Sequence, residues 1–209
     1  ERARNTSIND RYRVVGSVFG EVTILKQFKW RSAFYTDISR AGNRGYTPLP
    51  FEFITIAEAG VVDADTSRLA TARTATRQRM EEFRKFQQDH TLSYDSVFNG
   101  KHRVNVVAGF TSIFEGNSNI QGNRTDTTLT IPEGMENLWY INTVPLSNPS
   151  ENGGGGDEQS LVGYLARVNY AYANKYLINA SIRRDGNSRI SPENRFQTFG
   201  AVGLGWVIS

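Results

Sequence analysis

The 209-residue chain carries 24 basic and 21 acidic residues for a net charge of +3, too mild and too scattered a surplus to argue for a nucleic-acid partner. It holds no cysteine, which removes disulfides, thiolate metal sites and cysteine nucleophiles. No run of about eighteen apolar residues exists to make a membrane helix, although strands that show lipid only every second residue need no such run.

Taken in order, Glu1-Arg2-Ala3-Arg4 opens without a leader pattern, so the chain is expected to be a piece of something longer. Residues 11–24 alternate Val14, Gly16, Val18, Gly20, Val22 and Ile24 against Arg13, Ser17, Glu21 and Thr23, which is the side-chain period of a strand. After a short turn near Lys26, residues 29–40 return with Trp30, Phe34 and Ile38 on one face and Arg31, Tyr35 and Asp37 on the other. A long loop is predicted over about 41–77, opened by Gly42, Asn43, Gly45, Pro48 and Pro50, with Phe51–Ile56 able to form a short strand inside it. Residues 66–86 are ambiguous: Leu69, Ala72, Ala75, Met80 and Phe83 sit near helical spacing, yet a strand rising from about Arg77 fits as well.

A second hairpin follows, with strands at about 87–98 and 102–115 around Asn99-Gly100, the strongest two-residue hairpin signal in the chain. A second long loop, about 116–159, holds Pro132, Trp139-Tyr140, Pro145, Pro149 and a Gly153–Gly156 run read as a flexible tip. The last strands are predicted at about 160–173, 176–186 and 195–208. On the first of these, Val162, Tyr164, Ala166, Val168, Tyr170 and Tyr172 share a face, with Gly163, Leu165, Arg167 and Asn169 opposite. The apolar runs exceed the five or six residues usual in soluble sheets and reach the nine to eleven that cross a bilayer. Tyr164, Tyr172 and Tyr176 suit an interfacial aromatic girdle. Short turns alternating with long connections complete the pattern of an all-β, antiparallel transmembrane barrel. Seven strands would leave two bare edges in lipid, so they are expected to pair with strands outside this sequence.

The segment RVNYAYANKYLINASIRRDGNSRISPENRF (Arg167–Phe196) followed by FGAVGLGWVIS (Phe199–Ser209) resembles the SusC/RagA branch of TonB-dependent outer-membrane transporters. There a hairpin of the type RVNYxYxxKYLxxAxxRRDGxSRxxPxNR precedes a strand ending in GW-x-IS. His90–Phe110 and Arg11–Asp37 are weaker echoes of earlier hairpins. The resemblance implies part of a barrel of roughly 22 strands in a Gram-negative outer membrane, importing glycans or peptides. It also implies a SusD-like surface lipoprotein as lid and TonB as energy source, acting through a plug domain and contact segment that this sequence does not include. An accessory barrel without transport of its own, and a soluble β-rich binding module, are the alternative readings.

No enzyme is expected, and no cofactor. His90 and His102 lie on different strands without ligand spacing and read as interfacial or loop-facing polar residues rather than metal ligands. The Gly153–Gly156 run lacks a phosphate-loop context, and Glu81-Glu82 and Asp157-Glu158 read as solvated charges. Arg13, Glu21, Arg31, Asp37, Asp95, Arg167 and Arg183 all fall on the face opposite the apolar one, where they would bond a plug or each other. Arg167 and Arg183 are the ligand candidates among them. Trp139 and Tyr140 are the loop candidates: they could stack on a sugar or peptide, but packing the loop down is favoured. Asp185-Gly186 is read as a bend or bulge.

Overall fold

A computed structural model describes residues 6–47, 74–126 and 150–208. They form a seven-stranded sheet in simple chain order: β1 (Thr6–Ile24), β2 (Phe28–Thr47), β3 (Thr74–Phe98), β4 (His102–Asp126), β5 (Ser150–Tyr172), β6 (Tyr176–Asn187) and β7 (Phe196–Trp206). The pairing is antiparallel, with unbroken registers from Leu161↔Asn187 to Tyr172↔Tyr176 and from Tyr176↔Trp206 to Gly186↔Phe196.

The three short connections, residues 25–27, 99–101 and 173–175, are built alike. Their first two residues are left-handed, with φ of 54° and 60° at Leu25 and Lys26, 50° and 66° at Asn99 and Gly100, and 54° at both Ala173 and Asn174. Only Asn99-Gly100 has the composition this backbone favours. Leu25 and Ala173 hold it despite a Cβ, so the flanking ladders impose the turn. The third residue then serves the neighbouring hairpin: the carbonyls of Gln27, Lys101 and Lys175 accept from the N–H groups of Asp95, Ala173 and Val207.

Away from these turns the strands run further than the apolar pattern predicts. Residues 41–47, 74–77, 116–126 and 150–159 are strand rather than loop. At 25 residues, β3 and β4 are more than twice as long as a bilayer crossing needs. The ambiguity at 66–86 resolves to strand from Thr74 onward, and Phe51–Ile56 and residues 66–73 lie outside the described residues. The Gly153–Gly156 run is also strand, inside β5. A Cβ on Gly154 would lie 2.9 Å from the Asn119 carbonyl oxygen, and one on Gly156 would lie 2.9 Å from that of Asn117. These two glycines are there because β4 backbone occupies the space, not to make a flexible tip.

Asp185-Gly186 makes no bulge either, since its pairing continues on both sides. A Cβ on Gly186 would lie 2.5 Å from the Phe196 ring, so the glycine admits an aromatic ring from the next strand.

The chain divides into two compact units, one of Glu1–Arg13, Ser39–Glu82 and Asn117–Gly156, the other of Val14–Ile38, Phe83–Gly116 and Asp157–Ser209. Among the described residues neither encloses an apolar core. Tyr46 is the one buried hydrophobic side chain among the described residues. Val104, Val106 and Tyr170 are half-buried, and Val168, Ile178 and Ile182 are exposed. A soluble module would enclose these side chains to gain roughly 1.5–3 kcal/mol each. Such enclosure is not seen among the described residues.

Candidate functional site

The registers sort the second unit into two chemically different faces. One face stacks Tyr172, Tyr176 and Trp206 at the short-turn end, then Tyr170, Ile178 and Leu204, Val168, Ala180 and Val202, and Ala166, Ile182 and Gly200. Val202 and Leu204 are 76% and 80% exposed. The aromatic row is continuous: Tyr172 stacks on Tyr176 with centroids 6.4 Å apart, and Tyr176 on Trp206 at 6.5 Å. His102 joins the row, accepting or donating a 2.7 Å bond with the Tyr170 hydroxyl. His90, by contrast, sits on the apolar face, bonded to the Ser32 hydroxyl at 2.9 Å, with rings of Phe34 and Phe110 on either side. Neither histidine belongs to a cluster able to hold a metal among the described residues.

From Phe196 to Trp206, β7 rises about 33 Å along the strand, or about 25 Å along the normal at the tilt usual in such barrels, which matches the height of their lipid-facing band.

The other face is a hydrogen-bonded wall. The Asn105 amide donates to the Asp95 carboxylate at 2.8 Å, and the Asn169 amide donates to the Asn105 carbonyl at 3.0 Å. Asn179 is opposite Asn169, and its side chain lies over Gly203, where a Cβ would be 2.6 Å from its carbonyl oxygen. A polar row of Asp95, Asn105, Asn169 and Asn179 thus crosses from β3 to β6. Further from the turns, Thr111 donates to Asp89 at 2.7 Å, and Lys85 pairs with Glu115 at 2.7 Å. Glu115 lies beyond the apolar band. The Lys85 ammonium, and then the Gln159 amide, hold its carboxyl below the usual carboxylate range.

The candidate residues fare differently within this wall. Arg183 is bonded through Nε to both oxygens of Asp185 on its own strand, at 2.8 and 2.7 Å, so its charge is already answered. Arg184 points to the opposite face, with its guanidinium 5.1 Å over the Phe196 ring. Arg167 stands opposite the small Ser181, which itself faces Ala201. Arg167 is exposed and has no hydrogen-bond or ion-pair partner among the described residues. Arg31 lies 4.9 Å over Phe19, and Asp37 is buried beside the Tyr35 hydroxyl at 3.5 Å. Trp139 and Tyr140 lie outside the described residues.

The Asn belt was missed by the sequence reading, which sought charges. Asn105, Asn169 and Asn179 do share the phase of Asp95 and Arg167, and that was the available signal.

No family model matches the chain. A TonB-dependent receptor of Formosa agariphila is 32% identical over 148 residues, 69% of this chain and 13% of that protein. The TonB-dependent receptor SusC of Bacteroides thetaiotaomicron is 47% identical over 49 residues, 23% of this chain and 5% of that one. Among solved structures, that of the RagAB peptide transporter matches the fold with a TM-score of 0.76 at 16% identity, over 96% of this chain and 20% of that chain. The chain therefore spans a fifth or less of each of these three proteins. Two sorted faces, an aromatic row and these relatives lead to one conclusion: the chain belongs to the SusC/RagA-type TonB-dependent receptors of the outer membrane.

Proposed function

We propose that these seven strands form part of the wall of an active importer that takes up glycans or peptides with a SusD-like surface lipoprotein as lid and TonB as its energy source. The observation that supports this reading most is the division of labour between the faces. The apolar face suits lipid, while the opposite one is tied into a rigid polar wall by the Asp95–Asn105–Asn169 chain. A wall whose own side chains answer each other can line an aqueous path without collapsing across it. Arg167, opposite the small Ser181 and without a partner among the described residues, offers such a path a cation for a carboxylate, a sugar hydroxyl or a plug residue.

The test is uptake by the full-length receptor in cells supplied with defined glycans or peptides. Arg167→Ala is expected to lower uptake of the native substrate about tenfold, the loss of one charge-assisted hydrogen bond, at unchanged amounts of folded receptor. Unchanged uptake of every glycan and peptide by a receptor emptied of Arg167 would remove this residue from the path. A full-length receptor that imports neither class would sink the transport reading itself.

A further inference from the structure

The charges of the second unit are answered at one end of its sheet and left open at the other. Away from the short turns, Arg84 pairs with Glu158 at 3.5 Å, Lys85 with Glu115 at 2.7 Å, and Arg189 with Asp157. At the short-turn end, residues 24–30, 96–103, 172–177 and 204–208 hold Lys26, Lys29, Lys101, Arg103 and Lys175 but neither Asp nor Glu. In a chain whose 24 basic and 21 acidic residues nearly balance, this is a segregation of sign.

Two of these cations are accounted for. Lys29 pairs with Glu21 at 2.9 Å. Arg103 follows His102 along β4 and so belongs to the face opposite the aromatic row. The side chains of Lys26, Lys101 and Lys175 have no hydrogen-bond or ion-pair partner among the described residues. Each sits in one of the three short turns, and the backbone there is held in place. The Lys101 carbonyl accepts from Ala173 at 2.7 Å, that of Lys175 from Val207 at 2.8 Å, and that of Gln27, next to Lys26, from Asp95 at 2.9 Å. Three ammonium groups are therefore carried on fixed bases.

Their neighbours set the depth. Lys101 and Lys175 adjoin His102 and Tyr176 in the sequence, and these two rings belong to the aromatic row at the edge of the apolar face. Aromatic rings gather where hydrocarbon gives way to headgroups. A lysine one residue further out lays its stem along apolar surface and extends its ammonium among the phosphates. Short turns of outer-membrane barrels face the periplasm, so the surface met is that of the periplasmic leaflet.

We propose that this rim binds the headgroup phosphates of anionic phospholipid in the periplasmic leaflet, with Lys26, Lys101 and Lys175 as the contacts. A zwitterionic headgroup brings an ammonium of its own. A rim with open cations and no acid therefore selects lipid of net negative charge. Continuity with the aromatic row and the apolar face favours a lipid over a soluble anion or a cell-wall carboxylate. The assignment rests on the membrane placement of the chain and not on what the receptor imports, so its failure would leave the transport reading untouched.

The test places the full-length receptor in nanodiscs of mixed phosphatidylglycerol and phosphatidylethanolamine. Lipid retained after release into mild detergent is then counted by native mass spectrometry. The parent is expected to retain phosphatidylglycerol in preference, and the preference should fade towards 1 M salt, where charges are screened beyond about 3 Å. Lys26→Gln, Lys101→Gln and Lys175→Gln combined should cut it at least about tenfold, each lysine supplying up to about fivefold. Arginine at the same three positions should keep it, and Arg103→Gln should change it less than about twofold. Heat-modifiable migration in gels verifies that each barrel is intact. The proposal is overturned if the parent retains both lipids alike or if the triple glutamine variant keeps the preference. It is also overturned if Arg103→Gln loses as much as the lysines, which would leave net charge as the cause. Loss of co-sedimentation with isolated peptidoglycan at unchanged lipid would overturn it too, and would reassign the rim to the cell wall.

Discussion

The two compact units are held by different means. In the second unit the period of two is chemical. Val168, Ile178 and Val202 lie on one face and Asn169, Asn179 and Gly203 on the other. In the first, polar groups dominate both faces. Arg40 pairs with Glu82 at 3.1 Å, Arg79 with Glu81 at 2.6 Å, and the Asn43 amide bonds Ser7 and Asn9 at 3.0 and 2.6 Å. Pairs this exposed contribute little individually. Close approach at Gly154 and Gly156 lets the β5 backbone lie against that of β4 there. A strand can therefore outrun the solvent that patterned it, once its neighbours are already in register.

The sharpest way to break this comparison is to place the same charge on the same face of both units. Val168→Arg, in the middle of the apolar face, is expected to destabilise the full-length receptor in liposomes by about 2–4 kcal/mol in denaturant titration. Asn169→Arg, one residue on, should be nearly neutral. Ile120 in the first unit is 65% exposed, and Ile120→Arg should cost less than about 0.5 kcal/mol. Equal costs at Val168 and Ile120 would abolish the distinction between the units.

A smaller effect tests what holds the first unit. Gly154→Val and Gly156→Val would drive a side chain into β4 carbonyls and should each cost about 1–3 kcal/mol. Gly155 has nothing within 4 Å of a Cβ, so Gly155→Val should be neutral or slightly stabilising. Limited proteolysis of this region would read the difference. Equal sensitivity at all three positions would return the glycine run to a loop.

The smallest effect concerns Glu115. Its depressed carboxyl gives stability that is present above the usual carboxylate range and is lost as pH falls through it. Glu115→Gln should therefore be weaker than the parent by at most about 1 kcal/mol at neutral pH, and the gap should close below about pH 4. A gap that widens in acid would reverse the assignment.

The same contrast explains what could be read from the sequence. Strand order, the apolar face and the shared opposite face of Arg167, Arg183 and Asp95 were legible because apolar residues on one side and polar ones on the other print a period of two. The extensions through Asn117–Asn123 and Gly153–Gly156 were not, because a strand wet on both faces leaves no such print. The short turns near Lys26 and Asn174 were legible as well, but the left-handed backbone at Leu25 and Ala173 was not, since the ladders, not the turn residues, set it. Arg183 could be named from sequence but not recognised as spent on Asp185, a pairing that only the coordinates display.

The carbonyls of Gln27, Lys101 and Lys175 each wait for a donor that arrives later in the chain, at Asp95, Ala173 and Val207. Every finished hairpin is thus left with one open hook that its successor closes. The seam has a direction, from the amino-terminal edge towards the carboxyl-terminal one, and a sheet assembled in that order meets a prepared docking edge at each step.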